Sequence, residues 1–340
     1  MKIASRRKLA FALPAFTAYT LMAALCAPLA QSQTLSKAQN DAIEAHLAAA
    51  KQAAAFDLTG TLARLCIAPG AGAGGTKRGE ERAIPERSTW HAEPVKMFDN
   101  LYFLGEKYHS SWALVTSQGI ILIDTLYHYA VEDEIVDGLK KVGLDPANVK
   151  YVIISHGHSD HDEGARLMQE RYGARVVMGG PDWTMIEKGP DMPGGKPKRD
   201  IVGVDGQKIT LGDTTVTLVA TPGHTPGTLS MLFNVTDHGK PYTVAYSGGT
   251  AIYDIYKSEA GLNTYIDSQL HMAKMAADAN ATILMSNHTE FDGAYIKSRL
   301  LAGRQPGELH PYDLGPNLVQ RYFKLTDECA LAAKEKLRGM

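Results

Sequence analysis

His156-Gly157-His158-Ser159-Asp160-His161 follows the apolar run Tyr151-Val152-Ile153-Ile154, with Ser155 alone between them. Three imidazoles and one carboxylate therefore crowd into six residues at the end of a buried strand. These are the donors zinc takes where one coordination position must stay open for chemistry. Core packing has no use for such a cluster. The stretch predicts a metal site, with enough donors to start two.

Further donors come from two other loops. His224 lies in Thr221-Pro222-Gly223-His224-Thr225-Pro226-Gly227-Thr228, where Pro and Gly on both sides forbid a regular element. His288 follows the short run Ile283-Leu284-Met285 in Ser286-Asn287-His288. Strand-end loops are where functional groups gather. His156 and His158 are expected to face one ion and Asp160 and His161 another. His224 would complete the first set and His288 the second, with His271 the competitor for that last place. Each ion then has three protein donors and an open position, and a hydroxide is expected between them, formed when metal-bound water loses a proton near neutral pH. The chain has 12 histidines; His46, His91, His109, His128, His238, His271 and His310 are read as surface or hydrogen-bonded core residues. Tyr108, His109 and Tyr253 nevertheless sit in loops able to flank a substrate pocket.

The surrounding pattern alternates strands and helices. Leu101–Leu104, Trp112–Val115 and Ile120–Ile123 read as strands of a meander, separated by turn residues such as Ser117-Gln118-Gly119. Ala130–Val142 has helical spacing and ends at Gly143; Glu163–Tyr172 ends at Gly173. Further strands are expected at Arg175–Met178, Thr215–Ala220, Thr228–Asn234 and Tyr242–Tyr246. Helices are expected at Leu262–Ala279 and Leu318–Leu337. Two sheets with helices outside fit this order.

The N-terminus reads differently. Lys2, Arg6, Arg7 and Lys8 precede an apolar run that ends in small residues near Ala30. This is the pattern of a cleaved export signal, with Ser5-Arg6-Arg7-Lys8-Leu9 similar to a twin-arginine signal. Residues 1–30 are assigned to the signal, 31–94 to a surface-wrapped extension, and 95–340 to the catalytic domain with its C-terminal helix. The mature chain is expected in the periplasm or outside the cell, without a stable membrane anchor. Its two remaining cysteines, Cys66 and Cys329, are then candidates for one disulfide. A formal net charge of -2 over 340 residues gives no electrostatic case for a nucleic-acid partner and leaves a small molecule as the expected substrate.

His-x-His-x-Asp-His after an apolar strand resembles the signature of the metallo-β-lactamase superfamily. Thr221–Thr228 resembles that family's second motif. Gly119–Asp124 resembles its early strand, whose aspartate, here Asp124, supports the metal loop. The resemblance runs from about Trp90 to the C-terminus. It implies an α/β fold, the four-layer αβ/βα sandwich, with two Zn2+ ions at one edge. Glyoxalase II, lactonase and tRNase Z members carry a bridging aspartate in a Gly-Asp-Thr segment; here Ser247-Gly248-Gly249-Thr250 puts Gly249 in its place. Absence of that carboxylate, the export pattern, Trp90 with Pro94, and Asn287-His288 are all similar to subclass three of the class B enzymes. Two departures stand out: the Asp-Ser pair of that subclass is missing at Gly248-Gly249, and Asp162-Glu163 makes the loop after His161 more acidic.

The resemblance implies hydrolysis of a β-lactam-type cyclic amide by the bridging hydroxide. Asp160 would hold charge at the second ion and help orient that hydroxide. Thr250 joins Tyr108, His109 and Tyr253 as a pocket candidate. A lactonase, esterase or other small-molecule hydrolase with the same metals is the alternative. A non-catalytic exported zinc-binding protein is the alternative from another class. No Gly-x-Ser-x-Gly elbow supports a serine hydrolase.

Overall fold

Ile120-Ile121-Leu122-Ile123 shows how the layers arise. Side chains alternate across a strand. Ile121 and Ile123 point into a core shared by two sheets, whereas Ile120 and Leu122 pack beneath helices on the opposite face. A strand apolar on both faces requires cover on both. The computed structural model describes residues 35–67, 83–252 and 257–338. The proposed signal segment and Tyr253 lie outside them.

Among the described residues, twelve strands form two sheets. The first sheet runs in chain order: β1 (Val95–Phe98), β2 (Leu101–Phe103), β3 (Trp112–Thr116), β4 (Gly119–Ile123), β5 (Val149–Ile153), β6 (Arg175–Gly179) and β7 (Ile201–Gly203). Its first four strands pair antiparallel and the rest parallel. The second contains β8 (Lys208–Leu211), β9 (Thr214–Ala220), β10 (Leu229–Asp237), β11 (Lys240–Ser247) and β12 (Ile283–Ser286), ordered 12-11-10-9-8. Here only β11 and β12 are parallel.

Between the sheets, Phe103, Trp112, Ile121 and Ile153 meet Val216, Leu218, Met231 and Val244. Outside the first sheet, Ile135, Leu139, Met168 and Trp183 cover Leu122, Val152 and Val176. Outside the second, helices Lys37–Ala54, Glu259–Asp278 and Gly315–Arg338 cover Val219, Leu232, Ala245 and Leu284. The order helix, sheet, sheet, helix is the expected four-layer αβ/βα sandwich. Among the described residues no helix is long and apolar enough to cross a membrane.

The stretch read as a surface extension is built into the outer layer. Ser36 caps the helix Lys37–Ala54 with a reciprocal Gln39 contact. Ala50, Ala53 and Ala54 of this helix are buried in the same cluster as Tyr322, Phe323 and Ala330 of the C-terminal helix. A disulfide joins Cys66 to Cys329, 263 residues apart. Closing so long a loop removes unfolded-state entropy worth roughly 5 kcal/mol on the chain-entropy model. Strands β7 and β8 and the helix Gly180–Lys188 were not expected from the sequence.

The chain directions bring the ends of β4, β5, β9, β11 and β12 to one edge of the sandwich. The loops that leave those ends carry Asp124, His156 to His161, His224, Gly248 and His288.

Candidate metal centre

The loop after β5 begins with Ser155 and is fixed from beneath by Asp124. This aspartate has a positive φ of 61°, in the left-handed region that Asp tolerates better than most residues. One carboxylate oxygen accepts the Ser155 N–H at 2.7 Å. The other accepts the Ser155 hydroxyl at 2.8 Å, the His161 Nδ1–H at 3.1 Å and the Tyr246 hydroxyl at 3.2 Å. An aspartate with no water access thus sets the position of the motif and the tautomer of His161.

Three imidazoles converge on one point. His156 Nε2, His158 Nδ1 and His224 Nε2 are separated pairwise by 3.1, 3.0 and 3.1 Å. His156 Nδ1–H donates to Gly248 O at 2.8 Å, and His224 Nδ1–H donates to Ala251 O. Carbonyls only accept, so both rings keep their Nε2 lone pairs turned inward. Burial, with the neighbouring His224 charge, lowers His158 to about 4. Burial likewise lowers His224 to about 4 and holds His156 well below the usual histidine range. All three are neutral at pH 7, the form that binds a cation.

A second convergence lies beside it. Asp160 Oδ2 is 3.4 Å from His161 Nε2 and 3.3 Å from His288 Nε2, and those two nitrogens are 3.2 Å apart. Burial opposes the charge on both members of the Asp160–His161 pair. Attraction between them overcomes it, with Asp160 held well below the carboxylate range and His161 raised to about 10, helped by Asp124. Burial lowers His288 to about 4. The six residues expected to bind metal are therefore brought together as two adjoining triangles of donor atoms. The candidate metal-binding groups among the described residues are His156 with His158 and His224, His109 with Asp160 and His288, and His156 with Asp160 and His161.

The pocket candidates fare differently. Tyr108 is exposed, and its carbonyl accepts from Thr289 N–H. His109, read among the bland histidines and as a pocket residue, instead approaches Asp160 and His288. Thr250 is corrected: it is buried, and its hydroxyl faces Ser247, Ser286 and Tyr322 inside the fold. A side chain so enclosed cannot line an open pocket. His271, the alternative to His288, lies on the helix Glu259–Asp278 and pairs with Asp205 instead.

Two further residues support the site, Asp182 with no signal in the sequence and Asn287 marked there only by its place before His288. Asp182 is fully buried on the helix Gly180–Lys188. It accepts Gly157 N–H at 2.7 Å, the Thr225 hydroxyl at 2.6 Å and Gly227 N–H at 2.8 Å. One carboxylate thereby fastens the loop of His156 and His158 to the loop of His224. Asn287 donates to Gly248 O at 2.7 Å, the carbonyl that also orients His156.

Residues 104–236 match the family model described as the metallo-beta-lactamase superfamily. Over those residues the chain is similar to a metallo-β-lactamase domain. It is similar in structure to BJP-1, a subclass B3 metallo-beta-lactamase of Bradyrhizobium japonicum, at 27% identity and a TM-score of 0.59, covering 69% of this chain and 91% of that one. In sequence it is 36% identical over 120 residues to the N-acyl homoserine lactonase AttM of Azorhizobium caulinodans, covering 32% of this chain and 45% of the relative. It is 35% identical over 83 residues to a hydroxyacylglutathione hydrolase of Acidiphilium cryptum, covering 24% of this chain and 30% of the relative. The chain thus spans less than half the length of these curated relatives.

Proposed function

We propose that this chain is an exported, two-zinc hydrolase that opens a β-lactam-type cyclic amide. The two adjoining donor triangles carry the reading. Ligands spaced 3.0 to 3.4 Å apart suit an ion with bonds of about 2.0–2.2 Å in tetrahedral geometry. In the first triangle the inward-facing lone pairs of three neutral imidazoles repel one another unless a cation lies between them. The donor set therefore fits zinc. His156, His158 and His224 would hold one ion; Asp160, His161 and His288 would hold the other. Bound zinc supplies Lewis acidity, activating water near neutral pH and polarising a carbonyl.

The chain's own residues do the positioning. Asp124 and Gly248 O keep His161 and His156 in the ligating tautomer. Asp160 brings the negative charge that favours a cation in the second triangle. Export is supported by the Cys66–Cys329 disulfide together with the basic-then-apolar N-terminus.

Gly249 argues for the β-lactam branch. A Cβ there would lie 2.7 Å from His224 Cβ and 2.9 Å from Thr228 Cγ2, so a bridging aspartate has no room. Gly249→Asp is expected to push His224 aside and weaken the first zinc site ~10–100-fold, the scale of a disturbed supporting contact. Titration against a chromophoric chelator measures it, and an unchanged first-site affinity would show the space exists.

A second reading, lactone hydrolysis, is favoured by the 36% identity to the AttM lactonase. The deciding assay gives zinc-loaded mature protein a chromogenic cephalosporin and an acyl homoserine lactone series. Cephalosporin turnover that stops on chelation and returns with zinc is expected. Turnover of lactones alone would transfer the site to the second reading, and two bound ions without any turnover would favour a non-catalytic zinc protein.

A further inference from the structure

We infer that His109 is a fourth protein donor at the second metal site, making it His109, Asp160, His161 and His288. This rests on the two-zinc reading above. His109 Nδ1–H donates to Glu106 Oε2 at 2.8 Å, which leaves Nε2 as the free donor. That Nε2 lies 3.6 Å from Asp160 Oδ2, close to the spacing of the other pairs. Its ring stands 5.0 Å from that of His288, at 72°. The ligand-type atoms of His109, Asp160 and His288 all lie within 4.8 Å of one another.

Two further observations point the same way. Glu106 is completely buried, and a lone carboxylate in that position costs several kcal/mol without a positive partner. A carboxylate behind an imidazole is the common support of a metal-binding histidine: it fixes the ring and raises its basicity. The loop is also tied to the metal edge by its backbone. Ser110 N–H donates to Asn287 O, Thr289 N–H donates to Tyr108 O, and His109 pairs with His288 in an isolated bridge. Glu106 N–H donates to His109 O at 2.7 Å and closes the loop on itself. His109 therefore reaches its place without a mobile loop having to order.

The two sites then differ in kind. The first keeps three imidazoles and an open position. The second has four protein donors, one of them anionic, and holds its ion without needing a ligand from solvent.

The test is metal binding, not turnover. Apoprotein is titrated with zinc against a chromophoric chelator, and with cobalt while the visible ligand-field bands are recorded. Wild type is expected to bind two ions. His109→Ala is expected to weaken one of them tenfold or more and shift the bands of that cobalt, leaving the other ion unchanged. Glu106→Gln keeps the imidazole and should weaken the same ion by a smaller factor, which covers the case of an alanine variant that fails to fold. A wild type that binds two ions, with both variants matching it in affinity and bands, overturns the inference alone. A wild type that binds fewer than two overturns the two-zinc reading with it.

Discussion

His158→Ala is expected to reduce bound zinc from two ions to one and to lower kcat/KM by about 10³-fold, the effect of losing ~4 kcal/mol of electrostatic stabilisation. His158 contributes one of three nitrogens to the first triangle, at 3.1 Å from each of its partners. Two imidazoles hold an ion far less well than three. The fold should not notice. His158 is only partly buried, on the loop after β5, and the hydrogen-bonding contacts described for its ring run to His156 and His224. Apoprotein melting should stay near wild type while metal analysis and turnover both fall. An active variant that retains two zinc ions would remove His158 from the site.

How much of this was legible in the sequence depends on how local each signal is. The motif from His156 to His161 could be read because its donors share one loop and follow one apolar strand. His224 was readable because Pro222, Gly223, Pro226 and Gly227 exclude helix and strand around it. The layering was readable in β4, where every residue from Ile120 to Ile123 is apolar. Strands β7 and β8 were not: they are three and four residues long, and Val202 and Lys208 on them face solvent. The helix Gly180–Lys188 hid behind Gly179-Gly180-Pro181, although proline at a first helical turn is itself a start signal.

The supports of the site were the least visible. Asp182 lies 25 residues from Gly157 and 45 from Gly227. Nothing in its neighbourhood distinguishes it from a solvated aspartate. His109 was read as a pocket candidate and not as a ligand, because an isolated histidine is usually a bland one. A carboxylate three residues before it, at Glu106, is the pairing that could have raised it. Thr250 erred the other way: it was read as a pocket residue, but its hydroxyl is enclosed by Ser247, Ser286 and Tyr322.

Asp182→Ala carries the largest expected effect on stability and separates holding a metal from holding its ligands. It deletes no ligand, yet leaves Gly157 N–H, the Thr225 hydroxyl and Gly227 N–H without their carboxylate. A buried donor left unsatisfied costs about 1–3 kcal/mol, so the variant should lose roughly 3–5 kcal/mol. Urea unfolding of the apoprotein measures this as a lower midpoint. The same variant should bind the first zinc more weakly, because the loop of His224 is no longer fastened to the loop of His156 and His158. Gly157 adds to the constraint: a Cβ there would meet Met185 Cε at 2.9 Å, so the motif loop lies flat on the Asp182 helix. Asp182→Asn is the milder probe. All three partners donate, so its amide NH2 must face at least one donor, a loss of about 1–3 kcal/mol. His158→Ala weakens metal binding with apoprotein stability intact, whereas Asp182→Ala should weaken both together. Unchanged stability and zinc affinity in Asp182→Ala would mean that the two loops hold their places without it.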